Sequence, residues 1–146
     1  MAIYSLSQRS TSTTSGNAAS DMAVSTGARP RLMEMDLFLG AATASTFSLR
    51  RTSALGTRTS PVALLGEDPA DPALTGITLV DSAVAFSAEP TELTTKIRGV
   101  SFPATIGSGI IWTFPRGLPL AISLSFCIIH DATNAAAHDH GYVADV

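Results

Sequence analysis

The stretch Arg31–Leu39, RLMEMDLFL, decides the fold. Met33, Met35, Leu37 and Leu39 alternate with Leu32, Glu34, Asp36 and Phe38. A period of two sends every second side chain to the same face of a strand, which marks a sheet with one buried face. A helix fails here. Glu34 and Asp36 would interrupt its apolar stripe, and Gly40 follows at once.

The same period recurs outward from this segment. Residues 120–129, LAISLSFCII, place Leu120, Ile122, Leu124, Phe126 and Ile128 on one face. Residues 45–51, STFSLRR, turn Phe47 and Leu49 inward, and 2–8, AIYSLSQ, alternate as a short strand. PVALLG (61–66) reads as a short buried strand, and ITLVDSAVAF (77–86) as one strand bulged near Asp81. KIRGVSF (96–102) is a strand with Gly99 as its bulge, and IIWTF (110–114) is dense in β-formers. Turn residues occupy 67–76, 106–109 and 115–119. The pattern predicts eight or nine short strands at spacings of roughly ten residues, with no amphipathic helix. The expected fold is all-β: an antiparallel β-sandwich, jelly-roll-like.

Residues 9–30 are rich in Ser, Thr, Gly and Ala and hold few large apolar groups. Such a segment cannot bury enough surface to fold alone, so it is expected as an extended N-terminal arm lying on a neighbour. The predicted organisation is an N-terminal strand and arm over 1–30 and a β-sandwich over 31–146.

Composition bounds the function. Of 146 residues, 45% are hydrophobic and only 14% charged, against roughly 25% charged in an ordinary soluble protein. Ala, Ser, Thr and Gly supply 67 residues. A free monomer keeps itself soluble with many mixed charges; a protein covered by neighbours has less need of them. Eight arginines stand against one lysine, Lys96, a bias found at interfaces and also produced by GC-rich codons. Trp112 and Arg116 are residue types of interface centres, although Trp112 reads equally as a core residue. The candidate interface residues are Arg9, Arg29, Arg50, Arg51, Trp112 and Arg116.

The net charge of −3 is unevenly placed. Residues 1–60 hold six arginines and three acids, and residues 61–146 hold three cations and nine acids. Opposite halves favour head-to-tail pairing of copies. No Arg/Lys stripe is interleaved with aromatics, so nucleic acid is not an expected partner. The N-terminus shows no signal-peptide pattern, and the longest apolar run, LPLAISLSFCII, is too short for a membrane helix. Cys127 is the single cysteine and reads as a core side chain.

Catalytic patterns are missing. Ser108 in IGSGI lacks the glycines of a nucleophile elbow, and no phosphate-binding glycine loop occurs. The acids Glu67, Asp68 and Asp71 lie in a Pro-rich loop and read as solvated charges. His130, His138 and His140 gather in the last seventeen residues, HDATNAAAHDHGYVADV. His138 and His140 share a strand face and could grip one metal ion, but no glutamate follows Glu92 to complete a jelly-roll metal motif. Flanking acids and Gly141 point instead to a polar C-terminal hairpin whose histidines form a surface or interface cluster. No catalytic residue, metal or cofactor is expected.

SLSQRSTSTTSG (5–16), RLMEMDLFLGAATASTFSLRR (31–51) and FPATIGSGIIWTFPRGL (102–118) resemble small structural proteins of tailed bacteriophages, most of all capsid decoration (cement) proteins. The resemblance is of phrase and texture over most of the chain. It implies a non-enzymatic virion protein, often trimeric, made in the host cytoplasm and placed on the capsid exterior against the major capsid protein. Another phage head or tail component, and a carbohydrate-binding β-sandwich used in host adsorption, stand as alternatives.

Overall fold

A computed structural model describes residues 2–10, 16–24, 29–74, 77–81, 86–131 and 136–146. Parts of the expected arm (11–15, 25–28), of the loop 67–76 (75–76), of the strand 77–86 (82–85) and of the C-terminal hairpin (132–135) lie outside the described residues. Among the described residues thirteen strands follow one another: β1 (Ile3–Ser10), β2 (Ala18–Val24), β3 (Arg31–Leu39), β4 (Ser45–Ala54), β5 (Thr57–Arg58), β6 (Val62–Ala63), β7 (Leu65–Gly66), β8 (Ile77–Asp81), β9 (Phe86–Ala88), β10 (Thr91–Phe102), β11 (Gly109–Pro119), β12 (Leu124–His130) and β13 (His138–Asp145). Among the described residues no helix is long and apolar enough to cross a membrane.

The strands form two packed antiparallel sheets, a β-sandwich. One sheet has the order β11-β3-β13-β1-β7, and the other β10-β4-β12-β2-β8-β6. A small β5-β9 ribbon stands apart. Successive long strands fall in opposite sheets from β1 to β4, and again from β10 to β13. Sequence neighbours therefore face each other across the core instead of pairing as hairpins.

β3 lies between β11 and β13, and its alternation buries Met35, Leu37 and Leu39. The alternation breaks at Met33. β13 passes from Val143↔Glu34 to Ala144↔Leu32, and β11 also skips Met33. A bulge adds one residue and inverts the faces beyond it. Leu32 is therefore fully buried, and Met33, expected inside, is only half-buried.

Several expected elements are corrected. β2 is no arm: every residue from Ala18 to Val24 is buried, in a strand between β12 and β8. β1 likewise pairs with β13 along its whole length. Residue 30 thus separates no independent units. The polar groups of β2 are satisfied from far along the chain. Ser20 Oγ lies 2.8 Å from the Tyr142 hydroxyl, and Asp21 meets Arg58.

Residues 115–119 belong to β11 instead of a loop. β12 starts only at Leu124, because Ser123 takes a left-handed turn (φ 63°), which leaves Ile122 exposed. The irregularities of β10 fall between Thr91 and Arg98, while Gly99 pairs regularly with Ser48.

The β5-β9 ribbon lies against the outer face of the six-stranded sheet. Phe86 packs there with Ala18, Cys127 and Ile129 in a second small core. Both faces of β12 are therefore apolar and buried. Cys127 is fully buried, and loss of solvent pushes its thiol pKa up.

Candidate interaction surface

β11 is an edge strand of the five-stranded sheet. Its inward side chains Trp112 and Phe114 complete one flank of the core, and the Arg98 guanidinium lies 5.5 Å from the Phe114 ring centroid. Its outward side is different. Ile111 is 54% exposed, and no charged residue occurs from Gly109 to Pro115. An uncharged edge presents open backbone N–H and C=O groups beside apolar side chains, the combination that recruits another chain.

Past Thr113 the strand leaves β3 and rejoins it only at Leu118. The excursion depends on Gly117, whose φ is +63°. A Cβ there would stand 2.6 Å from Arg31 Cβ and 2.9 Å from Met33 Sδ. Arg31 Nη1 donates to the Arg116 carbonyl at 3.2 Å and ties the excursion to β3. The result is an open cleft of about 560 Å3 lined by Arg31, Met33, Pro115, Arg116 and Asp145. A second cleft of about 370 Å3 shares Pro115 and Arg116 and adds Phe114, Gly117 and Leu118. Two guanidiniums and one carboxylate thus surround an otherwise mostly apolar depression.

The structure scatters the six candidate interface residues. Arg116 is exposed and lines both clefts. Trp112, eleven-twelfths or more enclosed at 8% exposure, belongs to the core. Arg29 is exposed just ahead of β3. Arg9 pairs through two nitrogens with Asp139, at 2.6 and 2.7 Å, on the outer face of its sheet. Arg51 lies 5.0 Å from the Phe126 ring centroid. Arg50 is committed within its own chain. Its side chain is 13% exposed and holds Asp131 at 2.5 Å and Glu92 at 3.1 Å, while Lys96 reaches Asp131 at 2.7 Å. Sequence reasoning missed Arg31 and Asp145. The signal for Arg31 was its place opening the fold-deciding strand; nothing local marked Asp145.

The histidines also stand corrected. His130, His138 and His140 are fully buried, not surface groups of a hairpin. β13 lies between β3 and β1, so its even positions His138, His140, Tyr142 and Ala144 point into the sandwich. His130 enters from the other sheet. The Phe47 ring stands between, with centroids 4.6 Å from His130 and 4.9 Å from His138. His138 Nδ1 lies 3.1 Å from the Ala136 carbonyl. Burial lowers the pKa of His138 to about 4, with neighbouring His130 adding to it against the pull of Ala136 and Asp139. Burial lowers His140 to about 3, helped by His138. Both are neutral packing groups at neutral pH. Among the described residues no group of three or more His, Cys, Asp or Glu is arranged to hold a metal ion. No family model, curated protein or solved structure matches this chain.

Proposed function

We propose that this chain is a structural assembly protein, a capsid decoration (cement) protein that binds the major capsid protein and its own copies, as a trimer, on the outside of a virion. The observation that carries the reading is the edge of β11, uncharged from Gly109 to Pro115 and apolar at Ile111. Such an edge is a hazard in a free monomer and an asset in an assembly. The low charge of the chain, 14%, supports it.

The strand order supports it as well. Setting aside β5 to β9, the sheets read β11-β3-β13-β1 and β10-β4-β12-β2, an order that fits the expected jelly-roll-like winding. That architecture is common in capsid proteins, though many unrelated functions share it. The mechanism is mechanical. Each bound copy adds noncovalent contacts across subunit boundaries, and the shell gains stability by mass action.

The test is attachment. Purified protein is mixed with shells that lack it, washed by dilution and imaged. Retained density at many symmetry-related local threefold positions is expected. Density at a single vertex assigns the chain to a connector or tail, and no retention removes the reading. Ile111→Lys, a change at a side chain 54% exposed, is expected to fold and to weaken retention.

A further inference from the structure

Opposite edges of the five-stranded sheet carry opposite charge at the same level. One row of neighbours crosses it. The Glu67 N–H donates to the Ile3 carbonyl at 2.9 Å; Ile3 pairs with Asp145, Asp145 with Arg31, and Arg31 with Pro119. The row runs from β7 to β11, four strand spacings or about 19 Å.

At the β7 end stands the acidic loop 67–71. Glu67 and Asp68 are exposed, Asp71 is half-buried, and Leu65 beside them is 67% exposed. The loop is braced: Asp71 N–H donates to the Asp68 carbonyl at 3.0 Å, and Ala70 N–H to Asp68 Oδ1 at 2.8 Å. Its charges are therefore presented in a set arrangement. At the β11 end the exposed Arg31 and Arg116 line the larger cleft, with Asp145 as its one carboxylate, and Arg116 lines the smaller one as well.

We propose that copies of this chain associate head to tail, the Leu65 side chain and acidic loop 67–71 of one copy seated on the Arg31–Arg116 clefts of the next. The proposal rests on the assembly reading and names its surfaces. Guanidinium forks match carboxylates, and an exposed leucine suits the hollow walled by Phe114, Pro115 and Leu118. Pairing β7 to β7 would set acids against acids, and β11 to β11 cations against cations, so the contact is heterologous. A heterologous contact closes into a ring when its rotation allows.

The experiment measures mass by light scattering behind size exclusion at micromolar concentration, in low and high salt. Four full-length proteins are compared: the unaltered chain, Arg31→Glu with Arg116→Glu, Glu67→Lys with Asp68→Lys, and all four changes together. The unaltered chain is expected as a multimer that salt weakens. Each one-sided reversal is expected as a single folded chain, and the combined variant is expected to recover the multimer. A single chain for the unaltered protein in low salt overturns the proposal. So does an unchanged mass in either one-sided variant, or a combined variant that is folded by circular dichroism yet single. Shell attachment by the same proteins separates the two readings. Recovered multimers that do not attach sink the shell reading alone. Attachment with masses indifferent to reversal sinks the pairing surfaces alone.

Discussion

Asp21 on β2 and Arg58 on β5 form a two-pronged ion pair on the outer face of the six-stranded sheet. Arg58 Nε donates to Oδ1 at 3.2 Å and Nη2 to Oδ2. The Asp21 side chain is wholly buried, and 12% of the Arg58 side chain is exposed. Burial raises the Asp21 pKa, and Arg58 opposes that rise. The pair pins β5, and with it the β5-β9 ribbon, onto β2.

Removing one partner strands the other. Arg58→Ala is expected to cost about 3–5 kcal/mol, because an unpaired carboxylate is left in a dry site. Adding Asp21→Asn removes the stranded charge and is expected to recover part of the loss. Urea unfolding of the three proteins checks both statements.

The buried histidines make stability depend on pH. The folded pKa of His138, about 4, lies below the usual 6.5, so between these values the unfolded chain binds more protons. The contribution of neutral His138 is therefore fully present above pH 6.5 and is lost as the pH drops toward 4. His138 contributes about 3 kcal/mol to that loss, and His140, depressed to about 3, extends it further. Thermal midpoints measured between pH 7 and pH 4 are expected to decline. His138→Gln is expected to shallow the slope; an equal slope removes the assignment.

β2 belongs to the core, so truncation cannot be harmless. Met22 is fully exposed to the core and sealed from solvent. Met22→Ala is expected to cost about 2–5 kcal/mol. Deleting residues 1–24 takes a strand from each sheet and is expected to abolish cooperative unfolding, read by circular dichroism. A folded truncated protein would contradict the burial of β2.

Gly117 holds a left-handed backbone against Arg31 and Met33. Gly117→Ala is expected to lose at least the roughly 1–2 kcal/mol that a side chain costs in that conformation. The crowding of Arg31 Cβ adds to it. Differential scanning calorimetry measures the loss.

Period two alone determined the all-β class, because alternation is a local property that survives without any partner. It located β3, β4 and the body of β12 from Met35, Leu37, Phe47, Leu49 and Phe126. Low charge and the asymmetry between halves also stood in the sequence, and so did Arg116.

The remainder was decided by tertiary structure. β2 carries small and polar residues, and Ser20 and Asp21 are buried only because Tyr142 and Arg58 reach them from distant strands. His138 and His140 looked exposed beside Asp139 and Gly141, yet β13 lies inside a sheet, so the same alternation sends the acid outward to Arg9 and the rings inward. The Met33 bulge is visible only when both neighbours pair past it. Arg50 looked free until Asp131 and Glu92 closed around it. The larger cleft needed Arg31, Arg116 and Asp145 from three strands brought together by sheet order. Local pattern sets which way a side chain alternates. Only the packing of strands far apart in the chain sets what lies on either side.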